Sequence, residues 1–471
     1  MNNDQALWQW SATEIAAAVR RREISCREAT SSTLARIEAM NPRINALAEV
    51  LAQEALDSAD AADRLAASGA SLGPLHGVPV TIKVNIDQAG HATTNGVLPL
   101  RNHIAPDDAT VVAHWRRAGA IVVGRSNTAT YSSRWFTDNA VHGRTLNPWN
   151  ADITPGGSSG GAAAAVASGM GALAHGNDIG GSIRYPAYAC GVTGLRPTAG
   201  RVPAYNPSAT AERSITPQLM SVQGPLARSI ADLRLGYHAM AQHDARDPNW
   251  VPVPLELPMP AGPIRVALFR HCAGVPVHPA VAQALNDAAR WLQAAGYAVE
   301  EAELPHFLEA AELWRTLIND DSRRSIVAGV EQHGDEAMRR SQANMLAGMR
   351  ETDRDGFLDA LARRQALARS WSVFLERHPL VLMPVSWQLP APQDADIGSL
   401  EQAQALIAAQ SPLLATAMLG MPGLAVPTGL AQGIPVGVQL MAWRFREDLL
   451  LQAGSAIEQA ANFSTQPLFH H

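Results

Sequence analysis

Of the 37 Lys plus Arg residues in this 471-residue chain, 36 are arginine and one is lysine, Lys83, in the run Val80-Thr81-Ile82-Lys83-Val84-Asn85. In a sequence that fills its ordinary cationic positions with guanidinium, the one amine marks a place where arginine would fail. Arginine fails wherever a base must lose its proton, because guanidinium stays charged while a buried lysine can be made neutral by desolvation. The alternative is a leftover surface lysine. Against it, Pro79 to Ile82 is a β-prone apolar run opening after Leu75-His76-Gly77, as a strand heading inward would.

Two serine-glycine segments supply partners for such a base. Thr154-Pro155-Gly156-Gly157-Ser158-Ser159-Gly160-Gly161 runs into Ala162 to Ala167 and reads as a loop feeding a helix N-terminus. Free N–H groups gather there, which suits an anion or a serine held in an unusual conformation. In Asn177-Asp178-Ile179-Gly180-Gly181-Ser182-Ile183-Arg184, two glycines before a serine let successive backbone N–H groups turn inward together. That makes Ser182 the expected nucleophile and the N–H groups of Ile179, Gly180, Gly181 and Ser182 the expected oxyanion hole. Gly156 to Gly160 also fits G-x-S-x-G, a weak signal in a chain with 36 glycines. That pattern requires a later acid and histidine. His175, His238, His271 and His306 follow, none in a distinguishing setting, so a serine-histidine-acid esterase stays as an alternative.

The elements that must position these residues alternate in type. Ser11 to about Ala67 is helical, with Thr13 and Ser25 as caps and Asn41-Pro42 as a break. Val78 to Ile82 and Ile121 to Gly124 read as strands around a helix at Ala109 to Ala118. A helix at Ile230 to Gln242 precedes a strand at Ile264 to Leu268, a helix at Val281 to Ala295 and a strand in Tyr297 to Glu303. Pro305 to Arg377 reads as a helical, polar-faced peripheral insertion. Leu380 to Pro384 and Gly437 to Met441 return to strand character before a helix from Arg446. Such alternation predicts an α/β fold: one large domain whose mixed, twisted sheet is covered by helices on both faces. Within it, about 1–70 would be N-terminal helices, 71–202 the catalytic core, 203–410 a variable region with peripheral helices and 411–471 a return to the core sheet.

Composition narrows the partners. The chain is 47% hydrophobic and 17% charged with a net charge of −6, so it has ample core and no basic stripe for nucleic acid. Cys26, Cys190 and Cys272 are odd in number and widely spaced, which fits reduced thiols in a cytoplasmic protein. The first residues show no secretory leader, and Gly160 to Ala174 is too short to span a bilayer. No His-rich metal spacing occurs, and neither metal nor cofactor is expected. A small-molecule substrate is the expected partner, and a homo-oligomer remains open.

Together these segments resemble the amidase signature family over nearly the whole chain. The resemblance is carried by Leu75 to Val80 leading to Lys83, by Gly156 to Gly161, by Asp178 to Arg184 and by Cys190 to Thr198. Gly420 to Pro427 and Pro435 to Leu440 are similar to the family's C-terminal part. It implies a Ser-cisSer-Lys triad of Lys83, Ser158 and Ser182. Ser182 would attack, Ser158 would relay its proton across a cis Gly157-Ser158 peptide, and neutral Lys83 would receive it. The implied activity is hydrolysis of a carboxylic amide, with esters and carbamates as related substrates, through an acyl-serine. The glutamine-hydrolysing subunit of a tRNA-dependent amidotransferase is similar to the same family. The chain departs from the pattern in Val84 where Asp is common, in lacking an acid near Thr130, and in Asn177 where Thr is common.

Other residues read as support. Arg184 is expected to brace its loop by pairing with Asp178, Cys190 to be a packed thiol and Ser159 to be structural. Tyr131, Trp135, Phe136 and Trp149 are expected in the core more than in a substrate pocket, as are Trp387, Met418 and Met421.

Overall fold

Eleven short segments join into a single mixed sheet in the computed structural model, which describes residues 6–349 and 351–470. In chain order they are β1 (Leu47–Val50), β2 (Pro79–Lys83), β3 (Ile121–Ser126), β4 (Leu173–Asp178), β5 (Thr193–Arg196) and β6 (Val222–Ala227). They continue with β7 (Arg265–Leu268), β8 (Ala298–Glu301), β9 (Leu380–Pro384), β10 (Gly423–Ala431) and β11 (Ile434–Ala442). The spatial order is β1-β3-β2-β4-β6-β5-β10-β11-β9-β7-β8. β2 pairs parallel with both β3 and β4. β4 meets β6, and β10 meets β5 and β11, in antiparallel fashion. β2 and β3 are buried along their whole length, which is why they read as continuous apolar runs without alternation.

Because β2 and β4 are parallel neighbours, their carboxyl ends open at the same edge of the sheet. Ligand sites of α/β sheets gather at such edges. The helix Gly160–Ala167, small residues throughout and fully buried, packs on Arg184–Cys190 and on β4, β6 and β2. Only side chains of this size let a helix backbone approach so closely. A Cβ added at Gly161 would lie 2.5 Å from the Ala46 carbonyl and the Asn127 nitrogen.

Three expectations need correction. Pro42 does not split a helix: Cys26–Ile44 runs through it, since a proline in the last turn removes one bond near an end that Asn45, left-handed, then closes. The breaks lie on either side of it, between Ala12–Arg20 and Cys26 and again after Ile44, where Leu47–Val50 forms β1 instead of continuing the helical run expected to Ala67. The first cap is Ser11 in a capping box with Glu14, while Thr13 donates to Asp232 at 3.0 Å. The third concerns Pro305 to Arg377, which forms a wall of the site rather than a peripheral insertion: its helix Phe307–Ser325 buries Phe307, Ala311, Trp314 and Leu317 and packs on Ser411–Met418. Residues 1–5, on which the reading of an absent leader partly rests, lie outside the described residues. Among the described residues no helix is long and apolar enough to cross a membrane.

Candidate active site

Lys83 is the last residue of β2 and has no exposed surface. Its Nζ lies 2.7 Å from Ser158 Oγ, 2.8 Å from Asn177 Oδ1 and 3.0 Å from Ser159 Oγ. Burial pushes its pKa well below the ordinary lysine value, and Asp178 opposes this only in part.

The surrounding network sets the direction of each bond. Asn177 Nδ2 donates to Asn85 Oδ1 at 3.0 Å, and Asn85 Nδ2 donates to Ser132 Oγ, which donates in turn to Asn95 Oδ1. Asn177 Oδ1 is therefore an acceptor towards Lys83. Ser159 Oγ donates to the Asn177 carbonyl at 3.4 Å, which leaves its lone pairs for Lys83. A neutral amine has two N–H groups, and these two acceptors take them. In that neutral form the lone pair would face Ser158 Oγ, 2.7 Å away.

Ser158 follows a cis Gly157-Ser158 peptide. A Cβ at Gly157 would lie 2.4 Å from the Arg134 carbonyl, so the segment 134–136 grips this loop directly. The Ser159 N–H donates to the Ser182 carbonyl at 3.3 Å and joins the two serine loops. Ser158 is 1% exposed, whereas Ser182 is 7% exposed and opens on a cavity.

Asp178 organises the Ser182 loop. It accepts from Arg184 Nε and Nη2, both at 3.0 Å, and from Arg196 Nη1 at 3.2 Å, as well as from the N–H groups of Gly181 and Ile183. Burial alone would raise its pKa; Arg184 and Arg196 outweigh it and hold the carboxylate well below its usual range. Arg184 thus braces the loop as expected. Gly181, at φ +105, has its N–H committed to Asp178. Of the four N–H groups expected in an oxyanion hole, those of Ile179, Gly180 and Ser182 have no hydrogen-bond partner among the described residues. Two indoles fix the intervening peptides. Trp314 Nε1 donates to the Ile179 carbonyl at 2.7 Å and Trp135 Nε1 to the Gly180 carbonyl at 3.0 Å.

The cavity beside Ser182 offers about 150 Å³. Since one water needs ~10–15 Å³ on this measure, there is room for roughly ten water-sized groups. Trp135, Trp314, Ile318, Met345, Leu406 and Ile407 form its apolar walls. Of the aromatic residues weighed from sequence, Trp135 lines this cavity, while Phe136, Trp387, Met418 and Met421 are buried in the core. Trp149 stacks on Phe463, away from the site. Tyr131 stands half-buried, its hydroxyl against Gly329.

The histidines of the esterase alternative make no such site. His175 lies on β4 beside β2, where it receives the Lys83 N–H and contacts Gln223 Oε1 at 2.7 Å, and burial pushes its pKa down to about 3. His238, His271 and His306 face Glu256, Glu301 and Glu309. Cys190 is fully buried with its Sγ on the Pro155 carbonyl, and burial raises its pKa. Among the described residues no group of three metal-ligating side chains occurs.

Sequence reasoning placed Ser159 as structural and missed Trp314. The former contacts the lysine amine directly, and the latter comes from the helix taken as peripheral. The i, i+3, i+4 apolar face of Phe307, Ala310, Ala311 and Trp314 was the available signal, because such a face must cover something. The missing acid near Thr130 is supplied from a distance: Asp335 Oδ2 accepts from Thr130 Oγ1 at 2.6 Å.

Comparison with known proteins identifies the family. The family profile described as Amidase matches residues 28–451. An indoleacetamide hydrolase of Bradyrhizobium diazoefficiens is 46% identical over 456 residues, covering 97% of this chain and 87% of the relative. A glutamyl-tRNA(Gln) amidotransferase subunit from Moorella thermoacetica is 33% identical, covering 97% of this chain and 98% of the relative. A bacterial aryl acylamidase of the amidase signature family superimposes with a TM-score of 0.84 at 26% identity, covering 98% of each chain. The chain thus belongs to the amidase signature family of enzymes that hydrolyse carbon–nitrogen amide bonds.

Proposed function

We propose that this amidase releases ammonia from the primary amide of an arylacetic acid, of the indole-3-acetamide type, with Ser182 as nucleophile, Ser158 as proton relay and Lys83 as base. The observation that carries the reading is the fully buried Lys83 Nζ 2.7 Å from Ser158 Oγ, where burial pushes the amine well below the ordinary lysine pKa and so favours its neutral form. Ser182 Oγ attacks the carbonyl carbon; its proton passes to Ser158, whose own proton moves to Lys83. The oxyanion meets the N–H groups of Ile179, Gly180 and Ser182. As the tetrahedral intermediate collapses, the proton returns through Ser158 to the departing ammonia. Water then attacks the acyl-serine by the same relay and frees the acid.

The aryl group is supported by the tryptophan- and leucine-lined cavity and by the 46% identical indoleacetamide hydrolase. Glutamine, the substrate of the amidotransferase reading, carries a carboxylate that needs a free cation. Arg134, which lines the cavity, is taken by Asp396 at 2.7 and 2.8 Å and stands 3.6 Å from Asp394. Three unpaired cysteines suit a reducing, cytoplasmic setting. The test is hydrolysis of a panel of aliphatic and aryl amides, esters, carbamates and glutamine, with Ser182→Ala as the blank. Release of ammonia from arylacetamides, absent in the blank, is expected. Preference for glutamine would replace this reading with the amidotransferase one.

A further inference from the structure

Resting on the arylacetamide reading, we propose that Asp321 selects substrates whose ring carries a neutral N–H, accepting it through Oδ1. Asp321 lies on the helix Phe307–Ser325 and lines the same cavity as Ser182, with 7% of its surface exposed. Its Oδ2 is occupied: Ser214 Oγ donates to it at 2.6 Å, and Thr216 Oγ1 donates to it as well. Both hydroxyls come from a different segment and fix the carboxylate plane. Oδ1 has no hydrogen bond or ion pair among the described residues.

The other acids nearby are committed. Asp396, which also lines the cavity, is held by Arg134, and Asp320 accepts from Thr352. Asp321 Oδ1 is therefore a carboxylate oxygen left without a partner among the described residues, on a residue that lines the cavity with Trp314, Ile318, Leu406 and Ile407. When an aromatic ring displaces water from such a space, the acceptor loses its solvent partner and must find another donor. A ring N–H restores the bond without bringing a second charge into apolar surroundings. An ammonium would have to shed its hydration against those same walls. A site built around a substrate N–H rejects the analogue that lacks it, because its own polar atom is left unpaired.

The experiment compares kcat/KM of indole-3-acetamide, its 1-methyl derivative, naphthalene-1-acetamide and 4-(aminomethyl)phenylacetamide in wild type, Asp321→Asn and Asp321→Ala. Ratios within one preparation do not depend on the fraction folded. Wild type is expected to prefer the indole N–H substrate over the 1-methyl and naphthyl analogues by ~10- to 100-fold, the range of a hydrogen bond to a charged group. Both variants should bring that ratio to within about threefold of unity, mainly through loss on the indole substrate. Equal wild-type rates on indole and naphthyl amides would overturn the role of Asp321 while leaving the arylacetamide reading intact. A preference for the aminomethyl substrate that vanishes in Asp321→Asn would replace the neutral donor with a cation. No turnover of any arylacetamide would remove the underlying reading and this proposal with it.

Discussion

At the scale of single residues, the proposed relay uses the amine of Lys83 only while it is uncharged. In the neutral form its two N–H groups would go to Asn177 and Ser159, and its lone pair would meet Ser158. Lys83→Arg should therefore be nearly as inactive as Lys83→Ala, with both folded by circular dichroism, because guanidinium offers no lone pair near neutral pH. In wild type, kcat/KM should rise with pH as Lys83 loses its proton. Since burial lowers its pKa, that limb should fall below ~10.4, the ordinary lysine value. Substantial activity of Lys83→Arg with an unchanged profile would make the residue a structural cation. A serine-directed phosphonate should label Ser182, as peptide mapping can show, and Ser158→Ala should keep that serine but lose most turnover. Labelling of Ser158 instead would reverse the two roles.

At the scale of elements, the helix Phe307–Ser325 reaches the chemistry through one indole. Trp314 Nε1 holds the Ile179 carbonyl, and that peptide carries the N–H of Gly180. The ring also packs on Gly180, where a Cβ would lie 2.4 Å from Cζ2. Trp314→Phe keeps an aromatic ring and deletes the donor. We expect kcat to fall by about 10-fold, short of the ~10²–10³ seen when an oxyanion donor itself is removed, with KM changed little. A rise in KM at constant kcat would confine Trp314 to the cavity wall. The link between this helix and the serine loop is invisible in a local reading, since 135 residues separate the partners.

At the scale of the whole molecule, Asp178 joins the catalytic loop to the sheet. Arg184 lies in the helix after Ser182 and Arg196 ends β5; both are fully buried, and Arg184 also donates to Gln439 on β11 at 2.7 Å. Asp178→Asn leaves two buried guanidiniums short of a counter-charge and should cost ~3–5 kcal/mol near neutral pH in urea unfolding. The pH dependence follows from the lowered carboxylate pKa. The stability that Asp178 contributes is complete above its unfolded value of ~3.9 and is lost as pH falls below it towards the folded value. The gap between wild type and Asp178→Asn should therefore narrow in acid. A gap independent of pH down to the acid transition would assign the loss to packing rather than charge.

Much of this protein was legible in the chain because the responsible chemistry is local. A single lysine in an arginine-only background singled out Lys83, and two glycines before Ser182 marked a loop with inward-facing N–H groups. Apolar runs such as Pro79 to Ile82 and Leu380 to Pro384 are buried on both faces and gave strands by composition alone. Pro42 misled for a local reason too, since its effect depends on whether a turn of helix remains beyond it. What tertiary structure decided was direction and company. The bond that orients Asn177 towards Lys83 comes from Asn85, 92 residues away, and the N–H of Gly181 is taken by the carboxylate of Asp178. The acid for Thr130 arrives from Asp335, and the walls of the cavity come from helices whose polar faces concealed their buried ones. Sequence determines which groups can do the chemistry, because that is fixed by residue type. Their bond directions and proton affinities depend on burial and on long-range neighbours, so only the fold settles them.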